Sequence, residues 1–266
     1  MRPKLTERAP GLIGIAGVPL VRQVNVSLWA EFIHRICKNL NKIFACLCDV
    51  VKVIVRQFHV MVKVKICGIT NLEDALAAAD AGADALGFVF YKNSPRYITP
   101  IKAKNIIKSL PKKILKVGVF VDAQERTIKR IARLCRLDML QFHGSESPEF
   151  CRRFSVYKVI KAFRVRDKID CKDILKYETF AYLFDSFVQS KPGGSGKKFD
   201  WSLIKRIIDK MERPVFLSGG LSENNVREAI GFVKSDWVDV SSSVELRPGK
   251  KDIKKIKEFL RAVKKA

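Results

Sequence analysis

The pattern of apolar and polar positions changes near residue 60. Before that point, short apolar runs mix with scattered basic residues and show no repeated order of strand and helix. From residue 61 onward, short and nearly continuous apolar runs alternate with longer amphipathic stretches. Such runs are typical of parallel strands that are buried on both faces. The sequence therefore predicts two parts, an N-terminal extension over residues 1–60 and an α/β domain over residues 61–266.

Eight of these apolar runs are predicted strands, at residues 62–67, 85–90, 116–121, 139–143, 159–165, 182–185, 214–218 and 238–241. Each is followed by enough chain for one helix, and eight strand–helix units of this total length fit a small (β/α)8 barrel, or TIM barrel. A doubly wound open sheet is the alternative, but it gathers ligands only near its switch point. Candidate chemical residues follow six of the eight strands, which favours the barrel.

Helix-start signals occupy the gaps between the predicted strands. The first gap has a capping-box pattern in which a threonine precedes Glu73 by three positions, and its alanine-rich helix is predicted to end at Gly82. In two later gaps, a hydroxyl residue directly precedes a proline. The missing N–H group of proline costs nothing at the first helical position. The predicted hydroxyl caps are Thr70, Thr99, Ser147 and Ser222.

The charge balance is unusual, because 51 Lys and Arg outnumber 27 Asp and Glu and give a net charge of +24. Such a balance attracts nucleic acid, anionic membranes or anionic substrates. The basic residues are spread along the helices, often in pairs, which favours a solvated lysine-rich surface over a nucleic-acid-binding arm. A basic nucleic-acid-binding protein remains an alternative, and a steep salt dependence of binding would support it.

Cysteine usage and hydropathy bear on the compartment. Seven cysteines at irregular spacings favour reduced thiols over a disulfide framework. The longest apolar stretch of the extension is interrupted by Asp49 and Lys52, so that no predicted segment has the length of a membrane span. The sequence predicts a cytoplasmic protein with no membrane or nucleic-acid partner, and it leaves a monomer and a homodimer open.

A thiol and a carboxyl group end two of the predicted strands. Reactive groups of a (β/α)8 barrel lie at the carboxyl ends of the strands, where Cys67 follows the first strand and Asp185 ends the sixth. A thiol near a helix N-terminus and basic groups can become a base or a nucleophile, although a lone cysteine is often an inert core residue. A buried carboxyl group can donate a proton, but Asp185 could equally be a cap or an ion-paired rim residue.

Two glycine-rich turns predict a phosphate site. Gly193 and Gly194 follow the sixth strand, and Gly219 and Gly220 follow the seventh. Glycines let backbone N–H groups approach an anion, and a helix N-terminus adds its positive dipole end. Ser242–Ser243, after the eighth strand, offers hydroxyls and backbone donors beside the second turn. One such turn could be merely structural, but two at successive strand ends favour a phosphorylated small-molecule substrate.

Two further residues are candidate ligands of that substrate. Arg96, after the second strand, can grip a carboxylate with its planar fork of donors, although a surface arginine is common. His143 ends the fourth strand, where a histidine is more often a hydrogen-bonded wall residue than a catalyst.

Taken together, these strings resemble the phosphoribosylanthranilate isomerase family of tryptophan biosynthesis, over residues 62 to 264. The matching strings are 65–70, 81–90, 94–98, 141–144, 193–201 and 239–242. Their shared order makes the resemblance specific. Two departures are Ser243, where the family usually has glycine, and Ser195, which replaces a threonine.

The resemblance implies an Amadori rearrangement without metal or cofactor, from N-(5-phosphoribosyl)anthranilate to carboxyphenylamino-deoxyribulose phosphate. Asp185 would be the general acid that opens the ribose ring, and Cys67 would remove the proton from the second sugar carbon. Arg96 would bind the anthranilate carboxylate. Gly219, Gly220 and the Ser242–Ser243 turn would hold the phosphate. Another phosphosugar isomerase or epimerase is the enzyme alternative, which the thiol–carboxylate pair disfavours.

Nothing in the family requires residues 1–60, and Met61 lies where family members tend to begin. We therefore expect Met61 to be the natural start and the extension to arise from a misplaced upstream start codon. An intact-mass measurement on the native protein tests this, and an abundant product that begins at Met1 would refute it.

Overall fold

The computed structural model describes residues 61–165, 171–185, 201–209 and 211–266. Eight parallel strands form a closed barrel in the order β1 to β8, with β1 paired to β8. The strands are β1 (Lys63–Cys67), β2 (Ala85–Val89), β3 (Leu115–Phe120), β4 (Met139–Phe142), β5 (Lys158–Arg164), β6 (Ala181–Asp185), β7 (Val215–Ser218) and β8 (Trp237–Val240). Each bound lies within one residue of its prediction, so the predicted (β/α)8 barrel is confirmed.

Helices alternate with the strands along the described chain. They are α1 (Leu72–Ala81), α2 (Pro100–Lys108), α3 (Glu125–Cys135), α4 (Pro148–Arg152), α5 (Cys171–Leu175), α6 (Trp201–Ile208), α7 (Val226–Val233) and α8 (Ile253–Lys264). Between β8 and α8 lie a short 3-10 helix (Ser242–Val244) and a two-stranded hairpin of β9 (Glu245–Arg247) and β10 (Lys250–Lys251). Among the described residues, no helix combines the length and the apolar character that a membrane span requires.

Alternation along each strand divides its side chains between two environments. One set faces the helices and forms the larger core, with members such as Ile66, Phe88 and Leu140. The other set points into the barrel, where the early strand positions carry apolar side chains and Phe216 stacks on Trp237 at 4.7 Å between ring centroids. Most of the later inward positions are polar, and Val89 and Val119 are apolar exceptions. The interior is therefore a filled core below and a polar cup at the carboxyl ends of the strands.

Three of the five helix-boundary predictions agree with the structure. The side chains of Thr99 and Ser147 accept hydrogen bonds from the backbone N–H groups of the first turns of α2 and α4, and a proline follows each cap. Helix α1 ends at Gly82, whose left-handed backbone (φ of 103°) lets its N–H group reach the last carbonyls of the helix.

The predicted N-cap of α1 is wrong by one residue. Asn71 is the cap, and its Oδ1 accepts a 2.9 Å hydrogen bond from the N–H group of Asp74. The hydroxyl of Thr70 instead donates to the carbonyl of Gly249 in the β9–β10 turn. A tertiary contact therefore takes the hydroxyl that the capping-box pattern assigned to the helix.

The predicted cap of the seventh helix is also wrong. Helix α7 begins at Val226, after a turn in which the carbonyl of Ser222 accepts bonds from the N–H groups of Asn225 and Val226. The side chain of Asn225 accepts from the N–H group of Ser222 at 2.8 Å and closes this turn. The hydroxyl of Ser222 therefore precedes the helix and does not cap it.

We predict that Asn71→Ala lowers the free energy of unfolding by about 1 kcal/mol, because the first turn of α1 loses its side-chain acceptor. Ser222→Ala is the matched control and should change it by less than about 0.5 kcal/mol. Urea denaturation of both variants measures the difference. An equal loss in Ser222→Ala would restore Ser222 as a helix cap.

Candidate active site

The predicted thiol and carboxyl group lie in the same polar cup. Cys67 is the last residue of β1, and Asp185 is the last residue of β6. Strands β7 and β8 separate them around the ring. Asp185 lies in register beside Ser218 of β7, and the Ser218 hydroxyl is 3.3 Å from Asp239 of β8. A continuous wall of inward-facing polar side chains therefore connects the two groups.

The Cys67 thiol is enclosed at the mouth of the barrel, where 9% of the residue is exposed. It packs with Val89 and Val119. Burial raises the pKa of the thiol, and the Lys65 ammonium opposes this rise by charge and by hydrogen bonding. Gly87 makes room for both groups, because an added Cβ there would lie 2.8 Å from Sγ of Cys67 and 3.1 Å from Nζ of Lys65.

Lys65 is fully buried and forms an ion pair with Asp239. Its Nζ donates to Oδ1 of Asp239 at 2.8 Å, and the second carboxylate oxygen accepts from Ser218. Burial alone would lower the pKa of Lys65, but the neighbouring Asp239 and Cys67 raise it above its ordinary value. Lys65 is therefore a cation at neutral pH, and it lies next to the thiol.

His143 contacts the Asp185 carboxylate. Its Nε2 lies 3.3 Å from Oδ2 of Asp185, while its Nδ1 lies 2.9 Å from Nε2 of Gln141. An amide N–H group donates, so the Gln141 contact makes Nδ1 an acceptor and leaves the ring proton on Nε2, directed at Asp185. His143 thus contacts the carboxyl group from the inner rim.

A buried ion pair fixes the loop that carries His143. Nζ of Lys161 donates to Oε2 of Glu146 at 2.8 Å and to the carbonyl of Gly144 at 2.7 Å. Glu146 in turn accepts from the N–H groups of Gly144 and Asp122, which belong to the loops after β4 and β3. These bonds satisfy the buried charges and hold the two loops together.

Arg96 is held by a carboxylate of the β9–β10 hairpin. Its Nε and Nη2 donate to Glu245 at 2.6 to 3.2 Å, and Lys251 donates to the same carboxylate at 2.8 Å. Burial would raise the pKa of Glu245, but these hydrogen bonds lower it. Glu245 occupies the edge of the guanidinium that is formed by Nε and Nη2. Within the described residues, Nη1 donates to no acceptor, which leaves the end of the fork for a ligand.

The loops after β7 and β8 lie side by side. Gly219 and Gly220 have φ angles of 87° and 63°, which side chains disfavour, and a Cβ at Gly220 would meet open space. The hydroxyl of Ser243 donates to the carbonyl of Leu221 and joins the two loops. Ser242 is exposed beside them. Gly193 and Gly194, the other predicted phosphate turn, lie outside the described residues, as does Ser195.

Several charged side chains of this cup were not predicted from the sequence, namely Lys65, Asp239, Glu245 and Lys251. A usable signal was present for the first two, because each is an ionised residue inside a strand that is predicted to be buried, where charges are rare without a partner. Glu245 and Lys251 follow the barrel in sequence, and their packing against Arg96 depends on the hairpin.

The fold and this cup define a (β/α)8-barrel enzyme that is equipped for acid–base catalysis. The family model for N-(5'-phosphoribosyl)anthranilate (PRA) isomerase matches residues 64–262. The chain belongs to this family, and the predicted isomerase of tryptophan biosynthesis is confirmed.

Individual relatives agree with this assignment. The isomerase of Trichlorobacter lovleyi is 47% identical over 206 residues, which are 77% of this chain and 100% of the relative. The crystal structure of the isomerase of Thermotoga maritima has a TM-score of 0.72 and 48% identity, over 77% of this chain and 100% of that one. A phosphoribosyl anthranilate isomerase in complex with reduced 1-(o-carboxyphenylamino)-1-deoxyribulose 5-phosphate has a TM-score of 0.70 and 45% identity over the same shares.

We predict that Gly87→Ala lowers kcat/KM for PRA about a hundredfold, because the added methyl group displaces the thiol or the ammonium by about 1 Å. Gly231→Ala in α7 is the matched control, since its Cβ would meet nothing within 4 Å. Steady-state kinetics of both variants measure the effect. Unchanged kinetics in Gly87→Ala would show that the position of these groups does not limit the reaction.

Proposed function

We propose that this chain converts N-(5'-phosphoribosyl)anthranilate into 1-(2-carboxyphenylamino)-1-deoxyribulose 5-phosphate, with Cys67 as the general base and Asp185 as the general acid. The observation that carries the proposal is the placement of one thiol and one carboxyl group at inward strand ends of a single polar cup. A proton must be delivered at one sugar atom and removed at another, and two separate groups suit that task.

In the first step, protonated Asp185 gives its proton to the ring oxygen of the ribose. The bond between the anomeric carbon and the ring oxygen breaks, and the lone pair of the anilino nitrogen forms a double bond to that carbon. The product is an open-chain Schiff base in its cationic form, and Asp185 is left as a carboxylate. The nearby Nε2–H of His143 then stabilises that carboxylate.

In the second step, the Cys67 thiolate takes the proton from the second sugar carbon. The electron pair of that C–H bond forms the new carbon–carbon double bond, and the iminium nitrogen becomes a neutral amine. The resulting enolamine tautomerises to the ketone. The cationic Schiff base makes the carbon acidic enough for a thiolate to act as the base.

The two ends of the substrate would bind to different loops of the cup. The free end of the Arg96 guanidinium suits the anthranilate carboxylate, and its Glu245 partner holds it in place. Gly219, Gly220 and the Ser242–Ser243 turn suit the phosphate, together with Gly193 and Gly194. His143 is proposed to contact the sugar beside Asp185. Both substrate ends are anionic, so fixed donors favour one orientation.

We predict that Cys67→Ala and Asp185→Ala each lower kcat by about a hundred- to ten-thousand-fold while the protein remains folded, because each removes a proton-transfer group. The assay follows the loss of PRA fluorescence with the full chain, and circular dichroism checks the fold. Near-wild-type kcat in either variant would remove that residue from the mechanism.

We also propose that the protein is cytoplasmic, that it is a monomer or a homodimer, and that its basic surface has no nucleic-acid partner. The isomerase of Thermotoga maritima is described as dimeric, which supports the second of the two oligomeric states. Analytical ultracentrifugation distinguishes them. Tight, steeply salt-dependent binding of RNA or DNA would contradict the proposal that the basic surface has no nucleic-acid partner. Residues 1–60 lie outside the described residues.

A further inference from the structure

Lys65 has no part in the reaction as described above, although its position is costly. A lysine side chain without solvent exposure must be paired, since an isolated buried charge is strongly unfavourable. The ion pair with Asp239 satisfies this need. Two apolar residues would fill the same space without the cost of removing two charges from water. The charge is therefore better explained by what lies next to it.

We propose that Lys65 is a positioning residue for catalysis: its ammonium group, held by Asp239, stabilises the thiolate of Cys67 and so makes this side chain a usable base. The inference rests on the proposed role of Cys67. The geometry supports it, because Sγ of Cys67 and Nζ of Lys65 both border the empty side of Gly87, at 2.8 and 3.1 Å from its ideal Cβ. Side chains two apart on one strand share a face, which brings these groups together.

Among the described residues, the charged groups with the largest effects on the thiol are Lys65, Asp239 and Lys251. Lys65 of β1 has the largest Coulombic effect, and it favours the thiolate. Asp239 of β8 opposes the thiolate by its charge, and Lys251 of β10 favours it more weakly. Lys251 is largely neutralised by Glu245 at 2.8 Å. The Val89 and Val119 side chains add no charge, so Lys65 is the main counter-ion.

The Lys65–Asp239 pair also affects how the buried thiol of Cys67 loses its proton. A thiol that is buried among apolar groups has a raised pKa and would be a poor base at neutral pH. When it loses its proton to solvent, the thiolate and the carboxylate share one ammonium between them. Burial lowers the pKa of Lys65, but Asp239 raises it in both states and the Cys67 thiolate raises it further. Only the thiol proton is exchanged.

The test measures the alkylation of Cys67 by iodoacetamide as a function of pH, with the modified peptide read by mass spectrometry. In Lys65→Met, we expect the midpoint of this profile to move upward by about one pH unit or more, which is a tenfold change in thiolate population. The acid limb of kcat should move with it, while KM changes little. Lys65→Arg keeps a cation, so its midpoint should lie close to that of the wild-type protein.

Lys65→Met leaves Asp239 buried without its partner and could fail to fold. The double variant Lys65→Met with Asp239→Asn removes both charges, which is usually tolerated better. Its midpoint should still move upward, because Lys65 affects the thiol more than Asp239 does. Alkylation needs no substrate. A wild-type protein without PRA turnover would refute the proposed function, whereas an unshifted midpoint in the folded double variant would refute the role of Lys65.

Discussion

The pairing of β1 with β8 is the constraint on which this molecule depends. It closes the ring of strands and aligns Lys65 with Asp239 in register. In an open sheet, these two strands would be opposite edges, and a buried lysine on one of them would have no counter-ion. Closure also forces every second side chain of each strand into a common interior. Closure of the barrel therefore creates both the apolar core and the polar cup.

The interior changes character along the strands. Apolar side chains such as Phe216 and Trp237 fill the lower part and stabilise the barrel, while ionised and polar side chains occupy the carboxyl ends. In that low-dielectric surrounding, a single ammonium or carboxylate has a larger effect on its neighbours than it would in water. Burial disfavours ionisation of Cys67, and it also strengthens the electrostatic effect of the nearby Lys65 ammonium on the thiol.

Loops that are far apart in sequence are held around the cup by buried charges. Glu146 and Lys161 join the loops after β3 and β4, and Glu245 joins the final hairpin to the loop of Arg96. Each charge is paired and hydrogen-bonded, as a buried charge must be. The loops that carry Arg96 and His143 are therefore held in place, which limits the entropy that binding would otherwise lose.

The sequence by itself determined the eight strands to within one residue, the barrel, and the positions of Cys67 and Asp185 at strand ends, because continuous apolar runs and strand–turn–helix order are local properties. It misplaced the cap at Thr70, because the hydroxyl has a partner, Gly249, that is distant in sequence. It misplaced the cap at Ser222, because a local turn closed by Asn225 separates Ser222 from the start of the helix. Only the tertiary structure decided which charges pair. Lys65 and Asp239 are 174 positions apart, and only closure of the ring brings them together.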